Sequence, residues 1–364
     1  MVYVSVRGRI WLQAEAMNMV ESVGNYTKHR KVPIMVKKQD RYITFFVPSI
    51  SGESVAHAYQ VTLARVLSSN SDKVCELCSK GIFLKSTNAE VYKSTTGSDP
   101  PVLSKESGEG QAKGKRTRKQ KASPEEIVKA AKEIEEKIIQ SCGVEDIGGF
   151  LYAGEPNVKR TSSFSTGYMV PVYEVVDLVS VDPQLHSRYA LGTRFVSVEE
   201  SEERERRQAA GQMIYYVEVS SALFTFSFDL DTSSIGRYTY ITSEYGQPIP
   251  GVEPLKRSSA ALEALEQFLV EFPIGAKRTR FNPSDIRWES LLLAVSDGVF
   301  TLPSSFRSDY ISRAVSKKKI ASKNTELFAY MEDGCGLEGV GCFNTPEEAV
   351  KSAIQVAKQR LKQA

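Results

Sequence analysis

The sequence has no long apolar run, only three histidines, and a net charge of only +3 for its length. No stretch of its 364 residues approaches the roughly 18 consecutive apolar residues of a membrane span. The first ten residues, MVYVSVRGRI, carry arginines where a signal peptide needs its apolar centre. We therefore expect a cytoplasmic protein that does not associate with membranes.

Cysteines are few, and their spacing matches no familiar site. The five are Cys75 and Cys78, which form one close pair, the single Cys142, and the looser pair Cys335 and Cys342. A zinc finger needs four ligands at short spacing, and a secreted disulfide framework is typical of shorter chains with an even cysteine count. We expect reduced structural cysteines, with no bound metal and no cofactor.

Hydrophobic periodicity predicts an α+β fold. The predicted helices start at Ser51, Ser123, Ser258 and Thr345, and the predicted strands cover 2–12, with a break near Gly8, 215–231 and 287–298. Segments 146–156 and 168–181 are predicted to be extended. Residues 94–123 contain few apolar side chains and the basic run KGKRTRKQK, so this segment is predicted to be a disordered insertion.

Three short basic segments follow glycines. They are the predicted loop in VESVGNYTKHRKVPI (20–34), VKRTSS (158–163) and AKRTRF (276–281). Each mixes Lys or Arg with Ser, Thr or Asn, which is the chemistry that grips a nucleic-acid backbone. One such segment is about as often an ordinary solvated loop, but three of one character favour phosphate binding.

Other motifs favour structural explanations. GCGLEG (334–339) has the G-x-G-x-x-G spacing, but no βαβ unit follows it, so a glycine-rich turn is predicted. The alternating Phe224, Phe226 and Phe228 suit a base-stacking sheet, although core packing is the stronger interpretation. No histidine has a recognisable catalytic partner, so we do not expect an enzyme.

Several segments together resemble one family. They are VESVGNYTKHRKVPI, VPSISGESVAHAYQ, DIGGFLYAGEPNVKRTS with GYMVP, YVEVSSALFTFSFDLD and AKRTRFNPS, and they recur in order from near residue 5 to near residue 285. This combination is similar to the CRISPR-associated autoregulator family DevR, and within it to the archaeal type I-A backbone subunits of the Cascade surveillance complex. Glu155 departs from the family pattern, and the basic insertion is longer than expected.

The resemblance implies a modified RRM-like (ferredoxin-like) palm with large helical and thumb-like insertions. It implies the palm begins at 1–67 and continues in 146–152 and 213–300. A helical insertion at 68–145 would contain the disordered basic linker 94–123. The thumb-like insertion would be 153–212, and 301–364 a C-terminal region with a terminal helix.

The resemblance also implies RNA-contacting residues and partners. The candidates carried over by motif are Asn18, Lys28, His29, Arg30, Lys159, Arg160, His186, Arg188, Lys277, Arg278 and Arg280. The implied partners are CRISPR RNA (crRNA), complementary target DNA through pairing with it, further copies of the same chain in a helical filament, and other Cascade subunits, including one that caps the crRNA 5′ handle.

Two other functions compete with a non-catalytic scaffold. The first is a metal-independent ribonuclease that processes CRISPR transcripts, because such enzymes also use RRM-like folds and sometimes a histidine. The second is transcriptional control, suggested by the autoregulator name, although the sequence has no helix-turn-helix pattern.

Overall fold

The computed structural model describes residues 1–15, 19–103, 122–188, 213–274 and 286–363. The strands in these ranges are β1 (Tyr3–Glu15), β2 (Met19–Val23), β3 (Tyr26–His29), β4 (Lys31–Lys38), β5 (Arg41–Pro48), β6 (Phe150–Tyr152), β7 (Val158–Arg160), β8 (Phe164–Thr166), β9 (Ser180–Arg188), β10 (Met213–Asp231), β11 (Ile286–Ser296), β12 (Thr325–Met331) and β13 (Gly341–Phe343). The helices are α1 (Gly52–Ser69), α2 (Glu76–Ser79), α3 (Ala89–Thr96), α4 (Pro124–Ser141), α5 (Gly143–Gly148), α6 (Pro254–Glu271), α7 (Tyr310–Ile320) and α8 (Pro346–Gln363). None of these helices is long and apolar enough to cross a membrane.

A large mixed sheet organises the fold. Its main path runs β13-β12-β11-β1-β10-β3-β2, and β8 and β9 also pair with β10. β1 is antiparallel to both β10 and β11, and β8 is antiparallel to β10. Two hairpins, β4–β5 and β6–β7, form small sheets of their own. The predicted α+β class is confirmed.

One face of the sheet carries the main core. Phe224, Phe226 and Phe228 of β10 are fully buried there, in one cluster with residues of α1, α6 and α8. Phe228 packs edge-on against Tyr59 of α1, and its ring also contacts Phe268 of α6. The prediction that the alternating phenylalanines face the interior is confirmed, so they do not form a base-stacking surface.

Helix starts agree with the sequence-based predictions where short polar side chains cap them. Ser51 accepts a hydrogen bond from the Ser54 backbone N–H at the start of α1. Ser123 and Glu126 form a complete capping box at the start of α4. A hydroxyl or carboxylate at these positions satisfies N–H groups that lack a partner within the helix.

Several predicted boundaries differ from the structure. Helix α6 begins at Pro254 and not at Ser258, and residues 146–148, predicted to be extended, belong to α5. Residues 173–178 of the second segment predicted to be extended form turns.

The predicted break near Gly8 is absent, since β1 runs through it. Residues 94–96, predicted to open the disordered insertion, form the end of α3, where the buried Thr95 donates a hydrogen bond to Glu145. Residues 104–121 of that insertion lie outside the described ranges.

The stretch predicted as a basic loop is a β-hairpin. Strands β2 and β3 are joined by a turn at Gly24 and Asn25, and Gly24 has a φ of 61°, which glycine adopts without strain. The predicted turn residues are therefore right, but Lys28, His29 and Lys31 lie on strands, with Arg30 between β3 and β4. Short alternating segments next to a turn are harder to recognise than long apolar ones.

The cysteines differ partly from the prediction of reduced thiols. Cys335 and Cys342 form a disulfide that links the segment after β12 to β13. Cys75, Cys78 and Cys142 are free and buried. The GCGLEG segment is a turn region before β13 and opens no helix, so the interpretation of that motif as a turn is confirmed.

Candidate nucleic-acid interface

The β2–β3 hairpin presents two cationic side chains beside aromatic rings. Lys28 Nζ lies 6.0 Å from the centroid of the Tyr26 ring. Arg30 follows β3, and its Nη1 donates to the Tyr168 hydroxyl at 3.4 Å. The Arg30 carbonyl accepts the Ser49 backbone N–H at 2.9 Å, which fixes the chain just before α1. Both side chains are half-buried and reach the surface.

His29, between them, points inward. Its ring is fully buried, with Nε2 2.6 Å from the Glu218 carbonyl oxygen and Nδ1 2.9 Å from the Ser220 hydroxyl. A carbonyl only accepts, so Nε2 carries the proton and Nδ1 accepts from Ser220. The prediction that the His29 side chain contacts RNA is therefore corrected: both ring nitrogens have protein partners, and the ring is a core element between β3 and β10.

Glu218 of β10 holds this region together. Its carboxylate accepts the His29 backbone N–H at 2.7 Å and the Tyr26 hydroxyl at 3.0 Å, and Lys31 Nζ lies 3.4 Å away. Burial raises the pKa of Glu218, but these donors and the Lys31 charge outweigh it and hold the pKa below its usual range. The ionised carboxylate thus anchors the strand that carries Lys28 and Arg30.

Acidification is expected to destabilise the protein through His29. Burial lowers the pKa of His29 below 6.5, so the folded state holds a neutral ring where the unfolded chain takes up a proton. The contribution is present above pH 6.5 and is lost as the pH falls below it, by at most about 1.4 kcal/mol per pH unit. The thermal midpoint, measured between pH 7.5 and pH 5, is expected to fall less steeply for His29→Gln than for the wild type.

This comparison separates His29 from the acidic residue beside it. The pKa of Glu218 is lowered from 4.5, so its contribution to stability is lost only below that pH, whereas the loss from His29 begins at pH 6.5. Equal pH slopes for His29→Gln and the wild type would show that His29 does not titrate on unfolding.

Arg160 is also an interior residue. Its side chain is 1% exposed and ion-paired with Asp146. The guanidinium also donates to the Asp146, Ser234 and Arg237 carbonyl oxygens at 2.8, 2.6 and 2.9 Å, and lies 3.6 Å from Glu135. The prediction of RNA contact by the Arg160 side chain is corrected, because these partners occupy its donors. Its neighbour Lys159 points outward from β7 and is exposed.

A pair of glycines shapes the surface in front of Lys159. Gly149 has a φ of 72°, and a Cβ there would lie 2.7 Å from the Arg160 carbonyl oxygen. A Cβ on Gly148 would lie 2.4 Å from Gln60 Oε1 and 3.2 Å from Lys85 Nζ. Both positions therefore require glycine, and Gly148 keeps open the space that these polar groups share.

Two adjacent cavities lie in this region. They have volumes of ≈ 410 Å³ and ≈ 480 Å³ and share Lys85, Gly148 and Ser162 in their walls. One extends past the start of α1 to Tyr168, which contacts Arg30, and the other extends to Lys159. We call these two adjacent cavities the groove. Lys159 of the second basic segment lines it, and Arg30 of the first contacts its wall at Tyr168.

Lys85 is a groove residue that the sequence did not single out. Its Nζ donates to the Gly148 carbonyl at 2.7 Å, and burial lowers its pKa. Lys85 and Ser86 have φ values of 55° and 50°, which are uncommon for side chains with a Cβ and occur often at functional sites. Gln60 Oε1, in the same wall, is buried and has no hydrogen-bond partner. A lone lysine in a polar segment carries no sequence signal for this placement.

The remaining candidate RNA-contacting residues lie on β9 or outside the described residues. Asn18, Lys277, Arg278 and Arg280 are outside the described residues, so the third basic segment is untested. His186 and Arg188 lie on β9, where their backbones pair with Tyr215 and Met213 of β10. The structure describes no side chain for these two residues.

The sequence matches a family of CRISPR-associated proteins and individual proteins of that kind. Residues 6–315 match the family described as "CRISPR-associated negative auto-regulator DevR/Csa2". A Saccharolobus solfataricus protein, "CRISPR-associated aCascade subunit Cas7/Csa2 2", is 30% identical, with 94% of this chain and 96% of the relative covered. A second protein of that organism, "CRISPR-associated protein Cas7/Csa2 1", is 32% identical over 83% of this chain and 81% of its own length.

A solved structure shares the fold. It is a chain of a "CRISPR RNA-guided surveillance complex, pre-nicking", with a TM-score of 0.52, 13% identity, and coverage of 98% of this chain and 100% of that chain. At this identity the likeness concerns the fold alone. The family match and the relatives carry the assignment, and from them the chain belongs to the DevR/Csa2 family of CRISPR-associated proteins.

Proposed function

We propose that the chain is a non-catalytic backbone subunit of a type I-A Cascade complex in the cytoplasm of an archaeon, and that its groove binds the sugar–phosphate backbone of crRNA. The observation that carries the proposal is that Lys85 and Lys159 line one groove whose far end contacts Arg30. One relative is named an aCascade subunit, and the structural neighbour comes from an RNA-guided surveillance complex. Both names support the proposal.

The groove suits binding that ignores base sequence. Lysine ammonium groups recognise phosphates, which are the same in every nucleotide. A subunit that holds every guide must leave the bases free, so that pairing with target DNA carries the sequence information.

The sheet order supports an RRM-like palm. Strands β1, β8, β10 and β11, with α1 between the first two and α6 between the last two, follow the chain order βαββαβ, and their order in the sheet is β11-β1-β10-β8. All neighbouring pairs among them are antiparallel. This is the strand order expected of a ferredoxin-like, RRM-like palm, and it supports that part of the proposal. The helical insertion, the thumb-like insertion and the C-terminal region would extend from this palm.

The β4–β5 hairpin is the surface that we assign to contact with the next copy of the chain. Its outward face carries Met35, Tyr42 and Phe46, which are 68%, 71% and 72% exposed. Its inward face packs Val36 and Val47 against Val176. Three large apolar side chains on one exposed face are typical of a protein interface. A filament along crRNA would cover this face, and other Cascade subunits, including the cap of the crRNA 5′ handle, would contact its ends.

Assembly and cleavage can be tested together. Purified protein is mixed with a transcript that contains CRISPR repeats and spacers, with no metal added, and then imaged by electron microscopy and run on a denaturing gel. We expect helical assemblies on intact RNA, and we expect them equally with two spacers of unrelated sequence. Met35→Ser with Phe46→Ser is expected to shorten the assemblies while leaving single-copy RNA binding in place.

The same experiment also tests the alternative function, a metal-independent ribonuclease that processes CRISPR transcripts. A discrete cut in the repeat that is lost in His186→Ala would identify a metal-independent ribonuclease and overturn the scaffold. His29→Ala is not a clean probe of chemistry here, because its buried ring joins β3 to β10. His57, which packs against Phe83, is a suitable control substitution.

A further inference from the structure

Four side chains that can bind metal converge in the interior of the fold. Cys75, Cys78, Cys142 and Glu145 place one ligand atom each within 4.8 Å of all the others. Their exposed fractions are 6%, 1%, 0% and 1%. The expectation of no bound metal rests on cysteine spacing along the sequence. Spacing does not show this cluster, because folding brings Cys142 and Glu145 to the Cys75-x-x-Cys78 pair from a distant part of the chain.

We infer that these four residues form a structural zinc site. Three thiolates with one carboxylate are a soft, anionic ligand set that selects zinc over calcium or magnesium. Zinc–sulfur bonds of about 2.3 Å in a tetrahedron separate ligand atoms by about 3.5–3.8 Å. The atoms here already lie within 4.8 Å of each other, so side-chain adjustments below about 1 Å close the site.

The surroundings of the ligands fit a closed site. Cys75 Sγ accepts the Cys78 backbone N–H at 3.5 Å, a bond that orients a metal-binding thiolate. Glu145 Oε1 accepts from Thr95 at 3.1 Å and lies 4.0 Å from Cys75 Sγ. Glu145 Oε2 is buried and has no hydrogen-bond partner. A buried carboxylate oxygen without a donor is costly, and a bound cation would satisfy it.

The metal would have a structural role. The ligands come from the start of α2, the junction of α4 and α5, and α5 itself, so one ion joins α2 to the helix that ends at Gly148. Gly148 and Lys85 line the groove, and their hydrogen bond closes its floor. With four protein ligands and almost no exposure, the site has no open position for a substrate.

The test uses full-length protein purified without chelator and without added metal. Metal content is measured by mass spectrometry for the wild type, for Cys75→Ser and for Cys335→Ser with Cys342→Ser. Cys75→Ser is chosen because serine keeps a cap at the start of α2 while it removes a ligand. We expect about one zinc per chain in the wild type and in the double variant, and less than about a tenth in Cys75→Ser.

A second measurement keeps the inference testable if Cys75→Ser fails to fold. Wild-type protein stripped with a chelator is titrated with cobalt chloride, and we expect the intense visible absorption of tetrahedral cobalt–thiolate coordination at one equivalent. Stripping is expected to lower the thermal midpoint by roughly 5–10 °C, and zinc chloride to restore it. No zinc in the wild type, no tetrahedral cobalt spectrum, equal zinc in Cys75→Ser, or iron with inorganic sulfide in place of zinc would each overturn it.

Discussion

Replacing Arg160 with alanine is expected to lower the free energy of unfolding by about 3–5 kcal/mol. The guanidinium is 1% exposed and donates to the buried carboxylate of Asp146 and to the carbonyl oxygens of Ser234 and Arg237. It also forms an ion pair with the buried Glu135 at 3.6 Å. Its removal leaves these acceptors short of a donor in a place that water does not reach. The loss should appear as a lower midpoint of guanidinium unfolding, followed by circular dichroism.

Lys159→Ala is the matched control, since Lys159 is the neighbouring residue on the same strand with its side chain exposed. Its stability should change by no more than about 0.5 kcal/mol, while its RNA affinity falls. The two variants thus separate a folding role from a binding role within one basic dipeptide. Wild-type stability in Arg160→Ala, together with reduced RNA affinity, would restore Arg160 as an RNA contact.

Arg160 and His29 show that a basic motif does not predict the direction of each of its side chains. Both stand in short polar, positively charged segments, and sequence alone does not tell which side chain of such a segment points inward. Their direction follows from partners far along the chain, Glu218 for His29 and Asp146 for Arg160. A strand alternates its side chains between two faces, so the residue next to a buried cation is the one that reaches solvent.

The main core was predictable because its signal is local and repeated. The alternation in β10 and the helical spacing in α1 each extend over many residues, and both elements bury the predicted side chains. Capping residues such as Ser51 and Ser123 also act within one turn of a helix, so their effect can be read from neighbouring residues.

The groove and the cysteine cluster were not predictable, since each is assembled from separate segments. Lys85 joins the groove only because the chain turns at positive φ values before α3 and directs its Nζ at Gly148. Cys142 meets Cys75 only because α4 packs against α3 and its end returns to the start of α2. Such tertiary placement leaves no pattern at fixed spacing, and the family resemblance predicted RNA-contacting residues in the three basic segments without predicting Lys85 or the cysteine cluster.

The ion pairs around Asp146 connect the groove to the rest of the fold. Asp146 pairs with Arg160 on one side and with Arg257 of α6 on the other, and Arg257 also pairs with Asp72 after α1. The helix that contributes Glu145 to the cysteine cluster is therefore fixed from two directions by buried charges. Buried pairs of this kind specify one arrangement of the segments, and here that arrangement sets the groove floor at Gly148.

Simultaneous replacement of Lys28, Arg30 and Lys159 with alanine is expected to have the largest effect on RNA binding. Removing one cation from a phosphate of a single strand reduces the slope of log affinity against log salt by about 0.7, so the triple replacement reduces it by roughly 2. The fold should persist, because Lys159 is exposed and Lys28 and Arg30 are only half-buried, whereas the side chains of His29 and Arg160 are fully buried. Affinity is measured at several salt concentrations for two guides of unrelated composition.

The matched control for this triple variant removes three exposed lysines that do not line the groove, Lys319, Lys351 and Lys362, and so lowers the net charge equally. If binding depends only on a general electrostatic attraction, the RNA affinity of both variants will fall equally. If binding occurs at a specific site, only the affinity of the first variant will fall. The loss should also be equal for the two guides, because phosphates are the same at every position and only base contacts distinguish sequences. An unchanged salt slope in the first variant would mean that these residues contact another subunit, and a loss confined to one guide would mean that they read bases.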